Sequence, residues 1–370
     1  MNASLRDRVV APGALERSLS LAAWSERNGL TAAEYSAARL LELKRETVSV
    51  VLPARRVAET IGPVVEAVAP LARMGLVDEL VVVDADSADG TAGIARARGA
   101  TVLQESELLP SFGPAQGKGD AMWRGLAATS GEVVVYADTD TLNFADHFVL
   151  GMIGPLLERP DLRFVKGTFR RPFKVDEVAV PDEGGRVTEL VARPLLNLLM
   201  PELAGFGQPL AGETAGRREL LESLSYPLGY GVEIAMMIDV ARRVGVDAMA
   251  QVDLGTRQNR HQPLRDLSAM AFAVLGAATS RFGGPQPVSD DGAPAIALPC
   301  GDGLELREVS LAERPPLAAV AGDERRAARR VARQAGAWAD GAAASNGPPG
   351  ARGASSARRT PERFSAPGSR

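Results

Sequence analysis

The chain has 370 residues, 45% of them hydrophobic and 24% charged, with a formal net charge of -4. That balance is ordinary for a folded globular protein of one large domain or two, and it argues against a general nucleic-acid binder. A single cysteine, Cys300, excludes an internal disulfide and a cysteine-rich metal site and fits a reducing cytoplasm; no apolar run approaches the ~20 residues of a membrane span, and the first residues show no signal-peptide core.

Residues 14–45 read as helical and form an N-terminal arm, taken as 1–45. From residue 46 the pattern alternates. Apolar runs at 47–52, 79–83, 100–103 and 132–137 read as strands, with helical stretches reaching to about residue 71 and over 89–98 and 118–129. Short strands alternating with helices predict an α/β fold with a mainly parallel central sheet and helices on both faces. Ligands of such sheets bind at the carboxyl ends of the strands, where Pro53, Asp84 and Asp138 stand. The second half is less regular, with strands expected at 162–166 and 252–254 and helices at 188–200, 233–244 and 267–282. From about residue 317 the chain turns Ala-, Arg-, Gly- and Ser-rich. A segment with so little apolar content is expected to be a disordered, basic tail over 317–370.

Asp138-Thr139-Asp140 follows the apolar run Val133-Val134-Val135-Tyr136-Ala137. Two carboxylates one residue apart, where a strand opens into a loop, suit Mg²⁺ or Mn²⁺ with open positions for water and substrate phosphates. Aspartate after a strand also fits ordinary turn formation. Gly117-Lys118-Gly119 precedes a helix, and its glycines would let the backbone approach a ligand while the lysine meets phosphate; a surface turn reads the same way. In Gly184-Gly185-Arg186-Val187-Thr188-Glu189, Thr188 is placed to cap a helix whose N-terminus favours an anion, with Arg186 as a fork and Arg170-Arg171 upstream as reinforcement. The alternative is a capped helix beside a solvated arginine. Gly229-Tyr230-Gly231-Val232-Glu233 sets an acid at another loop-to-helix junction, as a sugar contact, a base, or a residue favoured there by the helix dipole. Of the two histidines, His261 lies in a polar run after a strand and could chelate or be solvated, while His147 follows a stretch explained by helix capping.

These segments, VSVVLPA, LVDELVVVD, GKGDAMWRGLAATSGEVVVYADTD, VKGTFRRP, GGRVTELVARPLL, GYGVEI, VDLGTRQNRHQPL and ERPP, resemble in order those of glucosyl-3-phosphoglycerate synthases, retaining glycosyltransferases with a GT-A fold. The resemblance covers roughly 46–316, which divides into a nucleotide-binding half at 46–140 and an acceptor-binding half at 141–316. It implies glucosyl transfer from UDP-glucose to D-3-phosphoglycerate with Mg²⁺ (or Mn²⁺), in a cytoplasmic homodimer; GDP-mannose is the donor in close relatives. By position, Pro53, Ala54, Asp84 and Ala85 would line the nucleoside pocket, and Lys118, Asp138, Thr139 and Arg257 would contact the donor. Asp140 would ligate the metal, Gly185, Arg186 and Thr188 would hold the acceptor, and Tyr230 and Glu233 would face the sugar as catalytic residues.

Two departures from the family stand out. Where the family reads Pro-Ala-Leu-Asn-Glu-Glu, this chain has Pro53-Ala54-Arg55-Arg56-Val57-Ala58, so an acidic nucleoside contact falls on Val57. The family's metal-binding histidine aligns with Asn259, and His261 falls where an acceptor-contacting asparagine is usual, so Asn259 and His261 are both metal candidates and His261 also an acceptor candidate. Two other readings follow. The order Asp-Thr-Asp-Thr-Leu resembles the nucleophile motif of haloacid-dehalogenase-type phosphatases, but that motif belongs after a domain's first strand, with its threonine one residue later. The second is a catalytically weak nucleotide-sugar-binding relative, against which the joint presence of Lys118, Asp138, Asp140, Arg186 and Glu233 argues.

Overall fold

The computed structural model describes residues 12–175, 178–180, 185–259, 263–284, 294–301 and 303–345. In chain order the main sheet takes β1 (Gly29–Thr31), β2 (Val48–Ala54), β3 (Glu79–Asp84), β4 (Thr101–Gln104), β5 (Val133–Tyr136) and β6 (Phe164–Arg170). A hairpin of β7 (Phe173–Val175) and β8 (Val178–Val180) follows, and then β9 (Thr214–Arg217) returns to the sheet. After β10 (Tyr226–Pro227) comes the last sheet strand, β11 (Met249–Thr256). A second hairpin is made by β12 (Ala295–Cys300) and β13 (Gly303–Glu308), and β14 (Glu313–Arg314) pairs back with β10. The helices are α1 (Pro12–Asn28), α2 (Ala37–Leu43), α3 (Ile61–Arg73), α4 (Thr91–Ala97), α5 (Gly117–Ala128) and α6 (Asp146–Glu158). They continue with α7 (Arg193–Leu199), α8 (Arg218–Glu222), α9 (Val232–Val244), α10 (Asp266–Ser280) and α11 (Gly322–Ser345).

The eight strands run in the order β1-β11-β6-β9-β5-β2-β3-β4. All pairings are parallel except the two made by β9. β-Branched valines favour the pleated backbone, and buried parallel strands need apolar side chains on both faces. The alternation is visible in the packing. Val51, Val83, Val134 and Tyr136 join one core with α5 and α9, while Val50, Leu52, Val82 and Val135 join the other with α3 and α6. Because β9 alone is reversed, β2, β3, β4, β5, β6 and β11 all end on one edge of the sheet.

Two sequence expectations are corrected, and one strand appears that the sequence did not signal. The N-terminal stretch is not a separable helical arm: it contributes edge strand β1, which pairs with β11, and anchors Trp24, which is 3% exposed and donates from Nε1 to Val246 O (2.9 Å). The short β9 was not expected, since Thr-Ala-Gly-Arg carries no apolar run. The segment from 317 is not wholly disordered: α11 spans Gly322–Ser345, and Leu317, Val320 and Ala328 are buried against the domain with Val331 and Ala332 packed alongside. One apolar stripe on an otherwise basic helix suffices to dock it. Residues 346–370 lie outside the described residues. No helix among the described residues is long and apolar enough to cross a membrane.

Candidate active site

A cavity of about 860 Å³ opens at the carboxyl edge of the sheet. Pro53, Ala54 and Ala85 border one end of it, together with Val57 and Asp86. Asp84 does not border it. That residue is fully buried beneath the wall, accepting from Ser87 N (3.0 Å), so the direct ligand contact expected of it is corrected. The loop after β2 is tied to the loop after β3 by Arg56 N to Ser87 Oγ (2.9 Å), Val57 N to Thr91 Oγ1 (3.0 Å) and Ala58 N to Asp89 Oδ2 (3.1 Å). Arg56 and Asp86 both have positive φ, at 53° and 50°. Such backbone is sparsely populated for non-glycine residues and persists where surrounding bonds hold it.

Asp138, Thr139 and Asp140 follow β5 into the middle of the cavity. Thr139 Oγ1 donates to Pro53 O (2.7 Å), which fixes the turn against β2. Asp138 is held by Lys118 on one side and by Arg257 Nη2 (2.7 Å) on the other. Lys118 also pairs with Glu233 Oε1 (2.7 Å), and Arg257 reaches Asp140 (3.1 Å) and the buried Glu213 (3.0 Å). Burial alone would raise the Asp138 carboxyl, but the Lys118 and Arg257 charges hold it well below the usual carboxylate range. Burial would likewise lower Lys118, and Asp138 and Glu233 hold it raised instead. Glu213 is pushed up by burial against the pull of Arg257.

Asp140 differs from Asp138. Its side chain is 62% exposed, and Asn259 Nδ2 donates to its Oδ1 (3.0 Å) while Asn259 Oδ1, buried, has no partner. An exposed carboxylate beside an unsatisfied amide oxygen is a hard-oxygen set that fits Mg²⁺ or Mn²⁺. No group of three or more His, Cys, Asp or Glu side chains able to hold a metal forms among the described residues. Ions of this class often take one or two carboxylates and complete their shell with water and phosphate. His261 lies outside the described residues.

Across the cavity stand Gly185, Arg186 and Thr188. Thr188 is not the helix cap expected from sequence. The helical turn already begins at Arg186, and Thr188 sits within it, 2% exposed, at the start of a widened π-turn over Thr188–Ala192. Gly185 has φ +83°, and this open conformation turns the chain into that helix. Arg171 also borders the cavity, with Nε buried and unpartnered. Its guanidinium and that of Arg257 both lie on the Phe169 ring, 5.1 and 5.2 Å from the centroid. Tyr230, 49% exposed, and Glu233, 7% exposed, complete the wall at the start of α9.

Several residues of the site escape sequence reasoning. Glu213 anchors Arg257 from a stretch with no strand or helix pattern; its only signal is that it is the one charged residue between Glu202 and Arg217. Gly212 leaves room for Asp138, since a Cβ there would lie 2.1 Å from its Oδ1. Lys166, on β6, donates to Ala211 O (2.6 Å) and Thr214 Oγ1 (3.1 Å), fixing the 211–214 segment; burial pulls it down to about 8. A lysine inside an apolar strand signals such a network only once its neighbours are known. His147, by contrast, meets Leu254 O (3.2 Å) away from this network, in keeping with a structural part.

Residues 49–206 match the family Glycosyl transferase family 2. The chain is 47% identical over 274 residues to glucosyl-3-phosphoglycerate synthase of Mycolicibacterium smegmatis, covering 73% of this chain and 89% of that protein. It is similar in structure to mannosyl-3-phosphoglycerate synthase from Rubrobacter xylanophilus, with a TM-score of 0.72 and 46% identity over 81% of this chain and 99% of the other. It is also similar to glucosyl-3-phosphoglycerate synthase from Mycobacterium tuberculosis in complex with Mn²⁺, UDP-glucose and phosphoglyceric acid. There the TM-score is 0.69, with 43% identity over 77% of this chain and 95% of the other.

Proposed function

Because the chain belongs to the glucosyl-3-phosphoglycerate synthase family, we propose that its cavity moves glucose from UDP-glucose to D-3-phosphoglycerate, with the roles assigned residue by residue below. The protein is a metal-dependent hexosyltransferase of mainly parallel α/β, GT-A-like fold. The observation that carries the assignment is the single network Lys118–Asp138–Arg257–Asp140, which sets cations, an exposed carboxylate and Glu233 around one cavity.

Asp140 and Asn259 Oδ1 would hold Mg²⁺ or Mn²⁺, with His261 as a further candidate from the adjoining segment. What the ion supplies when bound is neutralisation of the charge that develops on the departing diphosphate. Pro53, Ala54 and Ala85 border the nucleoside, with Asp84 shaping that wall from beneath. Thr139 keeps the Asp pair against β2, and Asp138 orients Lys118 and Arg257, whose positive charges face the diphosphate. The turn at Gly185, Arg186 and Thr188 offers backbone N–H groups and a guanidinium to the acceptor's anionic groups.

In the retaining reaction the acceptor hydroxyl attacks the anomeric carbon from the face the diphosphate leaves. The carbon–oxygen bond to the diphosphate breaks, the new glycosidic bond forms, and the hydroxyl proton passes to the departing phosphate oxygen. Glu233, fixed by Lys118 in a nearly dry setting, stabilises positive charge at the anomeric centre rather than acting as the base. Tyr230 stands at the same wall to contact the sugar.

The division into 46–140 for the donor and 141–316 for the acceptor is part of this proposal, as are a cytoplasmic location, suggested by the lone Cys300, and a homodimer. Leu304 and Leu306, each 70% exposed and on one face of β13, support a contact surface. The test is turnover with Mg²⁺ for UDP-glucose, GDP-glucose and GDP-mannose, each crossed with D-3-phosphoglycerate and D-glycerate. UDP-glucose with phosphoglycerate is expected to dominate and Asp140→Ala to lose at least ~100-fold in turnover. Equal rates in Asp140→Ala would remove the metal assignment, and a preference for GDP-mannose would replace the donor.

A further inference from the structure

Glu105 is sealed into the wall of the same cavity, only 2% exposed, and its Oε1 has no hydrogen-bond partner. It directly follows β4, where Gln104 is in register with Asp84 of β3. It therefore lies at the carboxyl edge beside Ala85 and Asp86, at the end of the cavity assigned to the nucleoside.

The acids around it are already engaged. Asp120 accepts from Arg124 Nε (3.1 Å) and from Arg314 (2.7 Å). Asp86 accepts from Ser106 Oγ (2.9 Å). Asp84 also keeps an unpartnered oxygen, but it does not border the cavity. Among the described residues, Glu105 is the buried acid that both borders the cavity and has an unmatched oxygen. Leaving such a group unpaired is costly, and a ligand that supplies the missing partner relieves the cost.

Building on the nucleotide-sugar reading above, we propose that Glu105 reads the base edge of the donor nucleotide. A neutral carboxyl presents one donor and one acceptor, the complement of uracil's N3–H and the adjacent carbonyl. A carboxylate presents two acceptors, the complement of guanine's N1–H and N2–H₂. Burial and the Asp120 charge, with a smaller push from Asp86, lift Glu105 to about 7 against the pull of Arg124 and Arg55, so both states are populated near neutrality. The side chain of Val57, on the same wall, has no group with which to pair a base.

The test is calorimetric binding of UDP-glucose and GDP-glucose to the full chain with saturating Mg²⁺ and no acceptor, from about pH 6 to about pH 8.5. In the wild type, UDP-glucose affinity is expected to fall about tenfold across the window, the size of one bidentate base contact, while GDP-glucose affinity rises. Any other group titrating near the diphosphate acts on both donors alike and cancels from their ratio. Glu105→Gln fixes the donor–acceptor pair at every pH, so its ratio of UDP-glucose to GDP-glucose affinity should stay at the wild type's low-pH value across the window. Parallel profiles for the two donors in the wild type, or an unchanged profile in Glu105→Gln, would overturn the proposal. Absence of binding by either donor at any pH would instead bring down the nucleotide-sugar reading on which it stands.

Discussion

Asn259 is the residue at which this chain's chemistry departs furthest from its resemblance. Its amide nitrogen is spent on Asp140, and its oxygen is left with no partner. In the metal role proposed for it, a neutral oxygen in place of an imidazole would make a harder and weaker ligand, suited to Mg²⁺, with no proton to lose on binding. Asn259→Ala should therefore weaken Mn²⁺ binding, read by the paramagnetic resonance of the free ion, by about tenfold or more. Unchanged affinity would transfer the ligand role to His261. Asp138, Asp140, Lys118, Arg186 and Glu233 stand out in the sequence as candidates because each lies where a strand or loop meets another element, and the structure brings all five to one cavity. Glu213 and Lys166 do not stand out, because their function lies in partners more than 40 residues away along the chain: Glu213 with Arg257, and Lys166 with Ala211 and Thr214.

Gly117-Lys118-Gly119 shows how an element places a side chain. The sequence suggested glycines that admit a ligand, but the structure uses them to admit another part of the chain. A Cβ on Gly119 would lie 1.8 Å from Pro227 O, and one on Gly117 would lie 2.8 Å from Leu228 O. Gly119 N donates to Leu228 O (2.9 Å), so the first turn of α5 is pressed onto the segment that leads into α9, and Lys118 thereby meets Glu233. Gly119→Ala should force these apart and cost about 1–3 kcal/mol of stability, with a larger fractional loss of kcat than of folded protein. A variant with wild-type melting and turnover would show that the close approach is not needed. The four valine-rich strands were legible because buried parallel strands need apolar runs. β9 lacks that signal, since it is stabilised by two antiparallel neighbours, and α11 hides its apolar stripe among arginines.

At the scale of the molecule, function follows from direction. The parallel strands deliver Ala54, Asp84, Gln104 and, just past β5, Asp138 to one edge, and β6 and β11 bring Arg171 and Arg257 to the same edge. The reversed β9 joins the two groups of strands, placing Glu213 at its entry, where it holds Arg257. The N-terminal segment ends the sheet beyond β11 with the three-residue edge strand β1, too short a template to invite pairing with another chain. The alternating pattern already implied the carboxyl edge as the site. What it could not give was the order of the strands, since the register between distant segments is set by packing and not by local preference.

The most direct measurement is proton NMR of the products formed from UDP-glucose and D-3-phosphoglycerate with Mg²⁺, beside Asp140→Ala. The expected result is UDP and a glucosyl-phosphoglycerate in equal amounts, with the anomeric proton in the α configuration of the donor and no turnover in the variant. Free glucose, a β-linked product, or an Asp140→Ala variant as active as the wild type would contradict the account.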